Sequence, residues 1–156
     1  MTAKYDINDL STVEIKQLIS KLKHPTNVIS FNDMFQKISN SFSKKTNDIL
    51  TLDEFVLDVG DDILYILHFR RSRFEDRYTI HLRFKENSFH LIRIDIGSGH
   101  RNPDNTKLNE DHIHFYVDSN NPSTDWAMPL SSGNFPNVQN FVDAFKTFLI
   151  YTNIKS

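Results

Sequence analysis

A chain of 156 residues is the usual length of one domain, and the absence of cysteine excludes disulfides, thiolate metal sites and cysteine nucleophiles. The formal net charge of −2 argues against a surface that binds nucleic acid or membranes through its overall charge. The sequence has no apolar run as long as a membrane span and no signal peptide, so we expect a cytoplasmic protein with no membrane partner.

Two helices are predicted near the N-terminus, over about residues 11–43. The capping box Ser11-Thr12-Val13-Glu14 begins the first helix, and His24-Pro25 ends it. A second box at Ser30-Phe31-Asn32-Asp33 begins the second helix. Because the connection is short, the pair is expected to form a helical hairpin, which is typical of a packing or dimerising element.

From about residue 52 to residue 117 the apolar pattern has a period of two, which predicts an antiparallel sheet of about five strands. A last helix, over about residues 138–151, has an apolar face that must pack on this sheet. Helices, consecutive hairpin strands and a final helix together predict a single α+β domain over residues 1–156. The expected strands cover about residues 55–59, 63–69, 78–84, 89–96 and 112–117.

Strand alternation places a set of charged and histidine side chains on one face of the predicted sheet. The register that buries the apolar residues of the third and fourth strands together pairs Leu82 with Ile92, and it places His81 opposite Arg93. Such a face differs from an ordinary solvated one, which is usually rich in Lys, Glu, Thr and Ser. The predicted face holds His81, Arg83, Arg93, Asp95, His112 and His114, with His100 and Arg101 in the loop above it.

These residue types favour acid–base chemistry on a phosphodiester. Two histidines can serve as general base and general acid, while arginines hold the phosphate and stabilise the charge on its oxygens. A ribonuclease that uses the RNA 2′-OH as its nucleophile needs neither a metal nor another cofactor. The predicted catalytic residues are His81, His112, His114 and Asp95, and the predicted substrate-binding residues are Arg83, Arg93, His100 and Arg101.

Metal binding is the second hypothesis for the same residues. The sequence His112-Ile113-His114 puts two imidazoles on one side of a strand, and His100 or Asp95 would complete a site for zinc or another divalent ion. The neighbouring arginines would repel a cation, and no third ligand has a diagnostic spacing, so the acid–base hypothesis is preferred. A purely structural role, in which the histidines only make cross-strand hydrogen bonds, also stays open.

The second half of the chain has a characteristic set of motifs, namely Leu91-Ile92-Arg93-Ile94-Asp95-Ile96-Gly97, His100, Asn102-Pro103-Asp104, His112-Ile113-His114-Phe115-Tyr116 and Asp125-Trp126-Ala127. With these motifs the sequence resembles a family of proteins that prophages and mobile elements of Gram-positive bacteria carry. The likeness continues through residues 148–154, and the family has no assigned activity to transfer.

A more distant likeness is to TumE-like toxins of toxin–antitoxin pairs. The order of an Arg-Tyr strand with His81, then Arg93-Ile94-Asp95, then His100 and His-x-His is similar to theirs, although Ile94 stands where those toxins carry Trp. The resemblance implies an RNA-cleaving toxin. The N-terminal helices lie outside it and would bind a cognate antitoxin, a host protein or a second copy of the chain. The alternative is a non-catalytic protein-binding or inhibitor module of phage or mobile-element origin.

Overall fold

A computed structural model describes residues 4–43, 48–72, 77–108, 111–117 and 126–156. The charged turn at residues 73–76, and Asp125 of the motif above, lie outside the described residues. Nine strands occur in the described ranges: β1 His24–Pro25, β2 Leu50–Asp58, β3 Ile63–Arg71, β4 Tyr78–Phe84, β5 His90–Ile96, β6 His100–Arg101, β7 Lys107–Leu108, β8 His112–Val117 and β9 Met128–Pro129.

Seven of these described strands form one antiparallel sheet in the order β1-β2-β3-β4-β5-β8-β9. The strands β6 and β7 pair only with each other, as a small hairpin between β5 and β8. The antiparallel sheet is therefore confirmed, but the predicted size of five strands is too small. The two additional strands have two residues each, which is too short to show a period in the sequence. The loop between β5 and β8 also contains a hairpin that the sequence did not predict.

The described helices are α1 Thr12–Ser20, α2 Val28–Ser43 and α3 Phe141–Tyr151, with a 3-10 helix at Leu130–Gly133. The capping box of α1 is confirmed: the Glu14 amide donates to Ser11 Oγ over 3.2 Å, and the Ser11 amide donates to the Glu14 carboxylate over 3.0 Å. In contrast, α2 begins before the predicted box, because Asn27 Oδ1 accepts from the Ser30 amide over 3.0 Å. Within the described residues, no helix is long and apolar enough to cross a membrane.

The two N-terminal helices do not form the expected helical hairpin, since β1 lies between them and pairs with β2. Instead, α2 runs antiparallel to α3. The ring centroids of Phe35 and Phe145 are 6.2 Å apart, and those of Phe42 and Phe141 are 5.4 Å apart. Both helices cover the apolar face of the sheet, where the Phe69 ring contacts α3. The C-terminal helix thus packs on the sheet as predicted, although it begins three residues later, after its N-cap Asn140.

The predicted register between β4 and β5 is confirmed over most of its length. Leu82 pairs with Ile92 and His81 pairs with Arg93. Beyond Leu82 the register shifts at a β-bulge, so that Arg83 pairs with His90. A bulge reverses the alternation of the strand that carries it, and this reversal changes which side chains meet on the polar side of the sheet.

Candidate functional site

The side of the sheet opposite α2 and α3 carries a row of polar residues that crosses five strands. The row runs from Asp53 on β2 through His68, His81 and Arg93 to His114 on β8, each opposite the next. A second row places Thr79 beside Asp95 and Asp95 beside His112. We call this surface the histidine face: Asp53, His68, Thr79, His81, Arg83, His90, Arg93, Asp95, His112 and His114, with His100 from the β6–β7 hairpin.

Three imidazoles on β3, β4 and β5 form a histidine stack of His68, His81 and His90. The ring centroids of His68 and His81 are 4.5 Å apart, and those of His81 and His90 are 4.0 Å apart, with interplanar angles of 19° and 25°. The bulge beside Arg83 explains the position of His90, which simple alternation places with the apolar residues of β5. At the outer end of the stack, Asp53 Oδ1 lies 2.7 Å from His68 Nδ1 and 3.7 Å from Arg83 Nη1.

The central ring of the stack, His81, is neutral. Arg83 Nη1 lies 2.7 Å from His81 Nε2, and a guanidinium can only donate, so Nε2 must carry a lone pair. Burial lowers the pKa of His81 to about 2, with further contributions from His90, His68 and the charges of both arginines. Burial, followed by the charge of Arg93, likewise lowers the pKa of His90 to about 4.

Asp95 is the centre of a second group of polar residues. Its Oδ1 accepts from Thr79 Oγ1 over 2.7 Å and from Arg93 Nε over 3.0 Å. Its Oδ2 lies 3.2 Å from His112 Nε2 and 3.4 Å from His114 Nε2. Burial by itself raises the pKa of Asp95, but contacts from the two imidazoles, the charge of Arg93 and the Thr79 hydroxyl outweigh burial and bring the pKa well below the ordinary carboxyl value.

Beside Asp95, three imidazoles form a histidine cluster of His100, His112 and His114. One nitrogen from each ring lies within 4.8 Å of the other two. The His100 ring centroid is 4.8 Å from that of His114 and 5.5 Å from that of His112. The hairpin that carries His100 is fixed by Asn102, whose side chain donates to the Ala127 carbonyl over 3.0 Å and accepts from the Ala127 amide over 2.8 Å.

The predicted site residues therefore fall into two groups rather than one. His112, His114, Asp95, Arg93 and His100 lie together. His81 and Arg83 belong to the histidine stack, and β5 separates β4 from β8 by two strand spacings, or roughly 10 Å.

The last predicted residue, Arg101, is exposed on the hairpin. His100 faces the sheet, and neighbouring residues of a strand point to opposite sides. The side chain of Arg101 therefore points away from the sheet.

Besides Thr79, which the predicted register places opposite Asp95, the histidine face has three residues that sequence reasoning missed, namely Asp53, His68 and His90. Alternation applied to β2 and β3 would have found Asp53 and His68, because the two residues face each other in the central row. His90 could not have been found in this way, since its position depends on the bulge.

A model of a family of unknown function, DUF6978, matches residues 10–154. No curated protein and no solved structure matches the chain.

Proposed function

The chain belongs to DUF6978, a family of unknown function, and we propose that it is an RNA-cleaving enzyme that binds the substrate phosphodiester at Arg93. One observation carries the proposal: Arg93 lies between the two groups of histidines, opposite His81 on one side and His114 on the other. Its Nε is engaged by Asp95, yet 39% of its side chain is exposed. A guanidinium has five N–H donors in a planar fork, so donors remain for phosphate oxygens.

A second cation lies on the same face. Arg83 on β4, whose side chain is 23% exposed, contacts Asp53 on β2 and donates to His81 on its own strand. Residues 68–101 carry eight Lys and Arg against four Asp and Glu, although the whole chain has a net charge of −2. Arg71 of this segment is buried, and on the histidine face Arg83 and Arg93 lie beside Asp53 and Asp95, so the two guanidinium groups rather than a net positive surface would bind a phosphate.

The histidine cluster supplies the groups for proton transfer. In RNA cleavage the 2′-oxygen attacks phosphorus, the bond from phosphorus to the 5′-oxygen breaks, and one proton passes from the 2′-hydroxyl to the base while another reaches the leaving 5′-oxygen. We propose that His112 or His114 accepts the first proton and that His100, across the cluster, supplies the second. Arg93 stabilises the charge on the non-bridging oxygens. His81 holds Arg83 in place rather than moving a proton, since its Nε2 already accepts from Arg83.

The test is cleavage of mixed-sequence RNA by the purified protein in EDTA. We expect the wild type to cleave and His114→Ala to lose at least about 100-fold in rate, the usual contribution of one acid–base group. Arg93→Lys should also lose activity, because an ammonium cannot form the two parallel bonds of a guanidinium. His24→Ala, at the edge of the sheet, is the matched control. Absence of cleavage, or equal rates for His114→Ala and the control, would contradict the proposal.

The distant likeness to TumE-like toxins implies the same substrate and adds a partner, a cognate antitoxin or host protein. A specific observation also favours the alternative of a non-catalytic protein-binding module. Ile29 at the start of α2 is 84% exposed, and Ile150 at the end of α3 is 80% exposed. Since α2 and α3 are antiparallel, these ends lie at the same side of the helix pair. Under this alternative, the double substitution Ile29→Lys and Ile150→Lys would abolish binding of the partner protein. Neither the wild type nor this variant would cleave RNA.

A further inference from the structure

We propose that His100, His112, His114 and Asp95 form a binding site for one divalent transition-metal ion of the zinc type. This inference goes beyond the proposed RNA cleavage, because the ion would occupy the imidazole nitrogens that transfer protons there; we expect the metal-free form to cleave RNA and the metal-bound form to be inactive. Imidazole nitrogens with one carboxylate oxygen are a common ligand set for Zn²⁺ and its neighbours in the first transition series.

The spacing of the ligand atoms fits a tetrahedral ion. With bonds of about 2.0–2.1 Å, the ligands of a tetrahedral Zn²⁺ are about 3.3 Å from one another. Asp95 Oδ2 lies 3.2 Å from His112 Nε2 and 3.4 Å from His114 Nε2, so both of these separations already match a tetrahedral ion. One nitrogen from each ring of the histidine cluster lies within 4.8 Å of the other two, so an ion that binds all three rings would draw the widest-spaced nitrogens closer together.

The state of Asp95 is an independent observation that points to a ligand. Its side chain is only 4% exposed, and no hydrogen bond of standard geometry reaches Oδ2, whose neighbouring nitrogens are Arg93 Nε at 2.9 Å, His112 Nε2 at 3.2 Å and His114 Nε2 at 3.4 Å. The other oxygen, Oδ1, holds both well-formed hydrogen bonds, from Thr79 and Arg93. A buried carboxylate oxygen that lacks a well-formed hydrogen bond is unfavourable, and a bound ion would give Oδ2 a direct partner.

The supporting contacts are those expected around a metal centre. Thr79 and Arg93 orient the carboxylate through Oδ1 and leave Oδ2 directed at the two imidazoles. His112 and His114 come from a strand that is paired on both sides, by β5 and β9, so their positions are fixed by the sheet. His100 comes from a separate hairpin, which Asn102 anchors to Ala127.

The charge of Arg93 is the main argument against a cation here. Its nearest anion, however, is Asp95 at 2.9 Å, and the exposed part of the guanidinium is screened by solvent. The ion would therefore be bound by three neutral imidazoles and one carboxylate, while Arg93 stays in contact with the carboxylate. We expect this arrangement to weaken binding relative to a site without the arginine, but not to prevent it.

The experiment is a titration of tag-free protein, stripped with EDTA and dialysed, with Zn²⁺ by isothermal calorimetry. We expect one ion per chain for the wild type and a rise in Tm on saturation, because an ion that binds only the folded state stabilises it.

Replacing one ligand in His100→Ala should weaken the affinity for Zn²⁺ by at least about 100-fold. His100 is the informative position, since it lies on a partly exposed hairpin and its loss leaves the sheet intact. The intense visible absorption of four-coordinate Co²⁺ checks the geometry.

His68→Ala is the matched control, because His68 lies on the same face but in the histidine stack. It should bind Zn²⁺ like the wild type, and Asp95→Asn should bind it more weakly while keeping the shape of the carboxylate. Absence of saturable binding, or equal losses in His68→Ala and His100→Ala, would overturn the metal site. The readout contains no RNA, so a protein that binds Zn²⁺ and cleaves nothing would contradict only the proposed function.

Discussion

Arg83 donates a hydrogen bond to His81 across 2.7 Å, and this bond fixes the protonation state of the most buried ring in the histidine stack. Because the guanidinium has no acceptor, His81 keeps its proton on Nδ1 and stays neutral. A proton added to His81 would put a second positive charge beside Arg83 and between two other imidazoles. The stack is therefore stable only while its central ring is uncharged.

Acid should destabilise the protein through His81, whose pKa is about 2 in the folded chain. Between that value and the usual histidine pKa of about 6.5, the unfolded chain binds a proton that the folded chain does not bind. The free energy of unfolding therefore falls as the pH drops below about 6.5, by up to about 1.4 kcal/mol per pH unit for this one group. The substitution His81→Gln keeps an acceptor for Arg83 and should reduce this slope in urea unfolding from pH 7.5 to pH 4.5.

The comparison at pH 7.5 serves as the control, because both chains are uncharged at position 81 there and any difference reflects packing alone. His90 has a pKa of about 4 for similar reasons, so the variant should keep part of the acid sensitivity. Parallel stability curves for wild type and His81→Gln over the whole pH range would show that His81 is protonated in the folded protein.

The sequence was sufficient to predict the register of the two central strands. Leu82 and Ile92 must be buried together, and a shift by one residue would bring Arg93 and Asp95 into the core. From that register alone, Asp95 and the residues facing it on β8 could be placed on one surface. The rest depended on features without a local signal, such as the bulge that turns His90 onto this face.

Burial of charged residues was also beyond prediction from the sequence. Lys23 lies within the predicted first helix, whose expected end is at His24-Pro25, yet α1 ends at Ser20 and Lys23 is fully buried after it. One of the acceptors for its ammonium group is the carbonyl of Thr152, which is 129 residues further along the chain. Contacts at such separations leave no period or motif in the sequence near either partner.

Replacing Lys23 with Met should lower the free energy of unfolding by about 2–4 kcal/mol, because buried carbonyls would lose their donor. Lys23 Nζ donates to the carbonyls of Ile19 over 3.0 Å, Lys21 over 2.8 Å and Thr152 over 2.7 Å. Met has nearly the same length, so the packing of the stem is retained. Chemical denaturation monitored by circular dichroism measures the change.

The matched control is Lys37→Met, which removes an exposed ion pair with Asp33 on α2. Exposed pairs of this kind contribute about 0.3–0.5 kcal/mol, so the control should change stability very little. If both substitutions had the same small effect, water rather than Lys23 Nζ would have to satisfy the three carbonyls.

The two glycines at positions 133 and 60 should respond to alanine with opposite signs. A Cβ at Gly133 would lie 2.9 Å from Ile113 Cγ2 and 3.2 Å from Phe115 Cζ, which are side-chain atoms of β8. Gly133→Ala should therefore lower the free energy of unfolding by about 1–3 kcal/mol through overpacking.

At Gly60 the nearest atom would be Asp58 Oδ1 at 3.5 Å, an ordinary contact, so Gly60→Ala should raise the free energy of unfolding by about 0.4–1 kcal/mol. Thermal unfolding of both variants tests the contrast, and a loss at Gly60 equal to that at Gly133 would contradict it.

The substitution Asn102→Ala should release the hairpin that carries His100 while leaving the sheet folded. The Asn102 side chain makes two hydrogen bonds to the Ala127 backbone in a buried environment. Its removal leaves two backbone groups unsatisfied and should cost about 2–3 kcal/mol of the free energy of unfolding.

In this variant, amide hydrogen exchange should quicken in β6 and β7 but stay slow in β4 and β5. Asp104→Ala, which loses only the local bond to the Thr106 amide at 2.8 Å, is the control and should leave exchange in β6 near that of the wild type. Because His100 reaches the histidine cluster only through this hairpin, Asn102→Ala should also weaken Zn²⁺ binding, whereas unchanged affinity would mean that His100 is held by contacts other than those of Asn102.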